Sequence, residues 1–247
     1  METEFLFILA LILFVASLVH GSIGFGFPMI ATPLLALTTD IQTAIIYTLI
    51  PTLLVNIISI ISEGNFIQAF KRFYLLALIA MIGSAIGTQI LIYSNSDIFK
   101  LLLAIAILLY LVIDIIRFEL TWIYTHPKLS RVVFGLGAGI LAGLTNAMAP
   151  ILIIYTLESK FTKSEIIQAS NICFLFGKVI QIALFSYASV FTIHEIQNSL
   201  LPLVFVTIAL FIGIKIKSYL NATLYKRIIK SILFFISLLL IIQTTLS

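Results

Sequence analysis

An apolar segment broken by glycine and proline occurs twice in this chain, and nothing else in the sequence constrains the fold as strongly. The first copy reads His20-Gly21-Ser22-Ile23-Gly24-Phe25-Gly26-Phe27-Pro28, with Pro33 further on. The second runs through Gly135, Gly137, Gly139, Gly143, Thr145-Asn146 and Pro150. Setting Gly26 against Gly143 also sets Pro33 against Pro150. In lipid, helix-breaking residues are tolerated only where the freed backbone is buried in protein or lines a cavity. A corresponding pair of breaks in the two halves of a membrane chain points to a transporter's substrate site.

The rest of the chain demands a membrane. Hydrophobic residues make up 62% of it and charged residues 10%, with a mean hydropathy of +1.22. Such composition excludes a soluble domain. Several runs reach the roughly 20 residues that a spanning helix needs. The expectation is one integral domain in the cytoplasmic membrane. The acidic start, Met1-Glu2-Thr3-Glu4, lacks the basic region of a signal peptide, so nothing is expected to be cleaved. Cys173 stands alone, which rules out an internal disulfide and a cysteine-based metal cage, and it reads as a packing residue. The net charge of +4 does not mark a nucleic-acid partner, because the cations fall in short loops beside apolar spans.

Eight apolar helical elements are expected, over 5–38 (broken), 42–61, 73–93, 98–117, 131–157 (broken), 164–187, 198–214 and 224–245. They form two sets of four: a first membrane repeat over 1–118, a connector over 119–130 and a second repeat over 131–247. Phe99-Lys100-Leu101 and Tyr225-Lys226-Arg227 open the last helix of each set alike. A straight helix over 5–38 would be about 51 Å long, against a hydrocarbon core of roughly 30 Å. Either the broken elements cross, giving eight crossings, or they fold back as re-entrant hairpins, leaving six.

Loop charge separates these two models. With eight crossings the cations split eight to five between the sides. With two hairpins, Lys100 alone lies on one side, twelve lie on the other, and Lys178 is in the membrane. The positive-inside rule favours the hairpins, with both termini outside and the 62–72, 118–131, 158–164 and 215–230 loops in the cytoplasm. Three crossings per repeat then insert the repeats with opposite orientation. Trp122 and Tyr124 in the connector suit an interfacial aromatic belt.

Lys178 is the sharpest candidate for chemistry. It stands mid-helix, and an intramembrane ammonium costs roughly 3 kcal/mol on insertion scales. Gln168, Asn171, Lys178 and Gln181 share one helical face, a wall suited to coordinating an anion. The alternative is a snorkelling lysine or one paired to a carboxylate, of which only Glu165 is on that helix. Half-helices beginning after Gly26 and Gly143 would turn positive dipole ends toward a shared anionic ligand, with Gly24 and Gly26 exposing backbone and Ser22, Thr145 and Asn146 adding uncharged donors. The same glycines also suit close helix packing. His20, beside the first break, is the candidate for proton coupling. Asn56 is the uncharged counterpart of Lys178 in the first repeat. Asp114 lies near Arg117, where a local ion pair explains it.

Enzyme readings find no support. Gly21-Ser22-Ile23-Gly24 does not match a nucleophile elbow, and no paired His or carboxylate constellation could hold a metal. No cofactor is expected.

The string His20-Gly-Ser-Ile-Gly-Phe-Gly-Phe-Pro-Met-Ile-Ala-Thr-Pro-Leu-Leu resembles the TauE/SafE sulfite exporter family. So does Gly143-Leu-Thr-Asn-Ala-Met-Ala-Pro150, through Asn171-Ile-Cys-Phe to Lys178 and Gln181. The resemblance covers essentially the whole chain. It implies export of small sulfur-containing anions such as sulfite, sulfonates or sulfoacetate. The combined expectation is an all-α polytopic secondary transporter working by alternating access, with the lipid bilayer and a small anion as partners. A passive anion channel and a membrane enzyme or scaffold without transport are the alternatives, and a homodimer stays open.

Overall fold

A computed structural model describes residues 2–94, 98–113, 120–200, 202–217 and 222–246, and every element among them is helical. In chain order they are α1 (Glu2–Ile23), α2 (Phe27–Ala36), α3 (Ile41–Ser62), α4 (Phe66–Tyr93), α5 (Ile98–Ile113) and α6 (Trp122–Thr125). The second half holds α7 (Pro127–Thr145), α8 (Ala149–Glu158), α9 (Lys163–Tyr187), α10 (Ile193–Leu200), α11 (Leu203–Ile216) and α12 (Ala222–Leu246). Long apolar runs choose helix because only intrasegment hydrogen bonds satisfy a backbone in lipid. α1, α3, α4, α7 and α9 are long and apolar enough to span, and α10 with α11 forms a sixth span if the pair, bent by 43°, counts as one. The chain is a polytopic membrane protein. Asp114 and Arg117 lie outside the described residues.

The expected breaks are real, and local chemistry sets them. α1 stops at Gly24 and Gly26, both at φ 101°, where a side chain would be strained. α2 restarts at once with Pro28 in its first turn. α7 stops at Asn146, which takes the left-handed conformation (φ 66°), and α8 restarts with Pro150 in its first turn. The long helices that follow begin on side-chain caps. Asp40 accepts from the N–H of Thr43 at 2.9 Å, and Thr162 forms a capping box with Glu165.

Helix boundaries at 23, 27 and 41 recur at 145, 149 and 163, each 122 residues later. Pro28, rather than Pro33, is thus the counterpart of Pro150, and Gly21 rather than Gly26 that of Gly143. The reason is packing. Gly21 lies against the backbone of α11 at Gly213, and Gly143 against that of α4 at Gly87, so these two glycines serve close helix contact while the breaks fall a few residues later. α4 packs on α7 as α11 packs on α1, while α3 meets α9 and α5 meets α12.

Each broken element folds back on itself. The ring of Phe5 meets that of Tyr47 at 5.3 Å, and His20 meets Ser59 at 2.8 Å, so α1 and α3 run parallel. The chain must return between them, and α2 makes that return. In the second half Tyr155 on α8 has come back to the level of Phe134 on α7, with ring centroids 5.6 Å apart. The arms are unequal, 22 and 10 residues in the first hairpin and 19 and 10 in the second, so the outgoing arm alone has the length of a full span.

Ion pairs and caps tie the connecting segments together at one end of the bundle. Arg72 pairs with Glu165, Lys217 with Glu63 at 2.9 Å, and the N–H of Leu120 donates to Glu158 at 3.0 Å. At the other end, Gln243 donates to the carbonyl of Leu37 at 3.4 Å. Eight alternating crossings would put Arg72 and Glu165 on opposite faces, which these contacts exclude. Trp122 stacks on Phe134 at 5.8 Å. Cys173 is buried in an apolar cluster, as a packing residue would be.

Candidate anion site

Two helix faces carry buried polar groups into the interior. α9 contributes Gln168, Asn171, Lys178 and Gln181; α3 contributes Thr48, Thr52, Asn56 and Ser59, spaced by four, four and three residues on one face. Because α3 and α9 pack on one another in opposite directions, the two stripes line a single polar seam.

Lys178 is the centre of one end of that seam. It is 1% exposed, too deep to snorkel. Its Nζ donates to Oδ1 of Asn146 and Oε1 of Gln181, and no carboxylate among the described residues pairs with it. Asn146 is oriented by its other atom, since Nδ2 donates to the hydroxyls of Thr32 at 2.7 Å and Thr48 at 2.8 Å. Gln181 is held by a bond from Nε2 to the carbonyl of Ala142 at 3.3 Å. The ammonium is therefore solvated by neutral amide oxygens, with one of its three N–H groups left for a ligand. Buried lysines are ordinarily paired with a carboxylate or kept neutral, and among the described residues this one meets amide oxygens alone.

At the other end, His20, Ser59, Asn171 and Gly24 gather around the first break. Nδ1 of His20 accepts from the N–H of Phe27 at 3.2 Å, capping α2, which fixes the ring proton on Nε2 facing Ser59. Asn171 donates from Nδ2 to the carbonyl of Gly24 at 2.7 Å and to that of Ile167 at 2.8 Å. Gln168 caps the end of α3 through the carbonyl of Gly64 at 2.6 Å.

The expected residues thus fall into groups. Lys178, Gln181 and Asn146 come together; Asn171, Gly24 and His20 form the second cluster. Ser22 and Thr145 bond carbonyls of their own helices, at Val19 (2.8 Å) and Leu141 (2.7 Å). Asn56 is fully buried, with both amide atoms unpaired among the described residues. Gly26 caps α2 at its left-handed turn. Asn146, before α8, bonds Thr32 within α2, while the N–H of Phe27 at the start of α2 is met by His20. Asn146 is level with Thr48 and His20 with Ser59, about 16 Å apart along α3 at 1.5 Å per residue. Thr32 and Thr48 are the site residues that inspection of the sequence passed over. The α3 stripe was the available signal for Thr48; Thr32 had none.

Long apolar helices, two folded-back hairpins and a buried polar seam between them define a polytopic helical membrane protein. The family model described as Sulfite exporter TauE/SafE matches residues 9–243, and the chain belongs to that family. No curated protein and no solved structure matches it. Family membership makes this a transport protein of the sulfite-exporter type.

Proposed function

We propose that this protein is a secondary transporter that exports small sulfur oxyanions, such as sulfite, sulfonates or sulfoacetate, by alternating access. The single observation that carries the reading is Lys178, buried and, among the described residues, met only by the amide oxygens of Asn146 and Gln181. An arriving oxyanion takes the remaining Nζ–H and neutralises the site, while Asn146 and Gln181 hold the ammonium in place.

The two halves act as inverted repeats, each opening with a re-entrant hairpin. In support, helix boundaries recur 122 residues apart and the packing partners exchange between halves. Rocking of one repeat against the other opens the α3–α9 seam to alternate sides. The charged loops at 62–72, 158–164 and 215–217 face the cytoplasm. His20 is the coupling group: a proton on Nδ1 would set it against the N–H of Phe27, so proton binding and the capping of α2 exclude each other.

Sulfite efflux from proteoliposomes tests the proposal. Lys178→Ala, reconstituted to the wild-type level, is expected to lose flux at least a hundredfold. Full flux in that variant would refute the site.

A further inference from the structure

The two ends of the seam are built on one plan but completed differently. In the second half, the Asn146 side chain joins Lys178 to Thr48. The 122-residue shift pairs Asn146 with Gly24, Lys178 with Asn56 and Thr48 with Ser170. Gly24 has no side chain to do the joining. Correspondingly, both amide atoms of Asn56 and Oγ of Ser170 have no hydrogen-bond partner among the described residues, although Asn56 is fully buried and Ser170 is 1% exposed. Asn171 commits its Nδ2 to Gly24 and Ile167, and its Oδ1 lies beside the His20 ring. Buried polar atoms are so seldom left unpaired that this concentration of them, beside a helix break, calls for a ligand.

We propose that Asn56 and Ser170 form a second, uncharged station for the transported oxyanion, opposite Gly24 in the α3–α9 seam. The inference rests on the anion-transport reading of Lys178. Asn56 Nδ2 and the Ser170 hydroxyl donate to two ligand oxygens. Without a fixed charge the station holds its ion more weakly than Lys178 does, and so serves as a waypoint. Asn171 and Lys178 are seven residues apart on one face of α9, about 10 Å, which puts the two stations within a short transfer.

The test sets sulfite flux in proteoliposomes against equilibrium sulfite binding to the purified, full-length protein by calorimetry. Asn56→Ala and Ser170→Ala are each expected to lower flux at least tenfold and to leave the sulfite Kd within about threefold, since Lys178 sets the affinity. A second variant fills the station from within. A Cβ at Gly24 would meet Cδ1 of Ile167 at 2.6 Å, so Gly24→Asn is combined with Ile167→Ala. That double variant supplies the amide that Asn146 provides in the other half; with its melting temperature and sulfite Kd measured to show that the strain of a side chain at φ 101° is tolerated, it is expected to block flux with binding retained. Wild-type flux in Asn56→Ala and in the double variant would mean that water serves these groups, and would overturn the proposal. So would loss of sulfite binding in folded Asn56→Ala, which would place Asn56 in the Lys178 site itself. Full flux in Lys178→Ala would overturn the anion site as well, whereas the Asn56 results bear on the station alone.

Discussion

Asn146 Oδ1 accepts a hydrogen bond from Lys178 Nζ across the second helix break, joining a backbone irregularity to the buried charge. The same amide donates to Thr32 and Thr48, so one residue ties α2, α3 and α9 together. Asn146→Asp is expected to place a carboxylate on the ammonium and raise the KM for sulfite at least tenfold, about 1.4 kcal/mol. Asn146→Ala is expected to lower stability by about 1–3 kcal/mol through the polar groups it strands. Flux kinetics and thermal unfolding in detergent read the two effects separately.

His20 separates a structural from a coupling role. His20→Ala removes the acceptor for Phe27 and the partner of Ser59, so the melting temperature should fall. His20→Gln can restore both bonds but cannot carry a proton. It is expected to keep sulfite exchange while losing accumulation driven by an imposed pH gradient. Accumulation at the wild-type level in His20→Gln would remove His20 from coupling.

The glycines of the broken segments are not equivalent. A Cβ at Gly143 would fall under 3.0 Å from the backbone of Ser84 and Thr88, and backbone cannot move aside as a side chain does. At Gly137 the nearest atom is Ile151 Cδ1, at 3.8 Å. Gly143→Ala should therefore reduce the monodisperse yield severalfold, and Gly137→Ala should leave it unchanged, as size-exclusion profiles would show.

Cysteine labelling reports the sidedness. With buried Cys173 replaced by serine, Lys71→Cys, Lys128→Cys and Lys160→Cys are expected to label from one face of the membrane, and Thr39→Cys from the other. Labelling of Lys71→Cys and Lys160→Cys from opposite faces would exclude the paired ends seen at Arg72 and Glu165.

Pattern was legible wherever it is local. A run of aliphatic residues must be helical in lipid, and α3 and α9 begin within a residue of the starts expected for them. Lys178 announced itself because an ammonium is costly among apolar neighbours. The register between the breaks was not legible, because Gly21 and Gly143 look like hinges in one dimension and become packing surfaces only when α11 and α4 arrive. Ser22 and Thr145 are equally plausible donors on paper. Both donate to carbonyls of their own helices, as hydroxyls with a nearby carbonyl commonly do, and Thr145 also accepts from the N–H of Ala147 in the break.

Sequence alone determined that this is a helical membrane protein, that its apolar elements break in two corresponding places, and that one cation, Lys178, lies inside an apolar helix, because hydropathy and charge act residue by residue. Which groups meet that cation is a matter between segments far apart in the chain. Lys178 could have been answered by a carboxylate or left to snorkel. Only the folding of α8 back against α7 and the packing of α3 on α9 delivered the amide of Asn146, oriented by Thr32 and Thr48, and withheld from Asn56 the partner that Gly24 cannot supply.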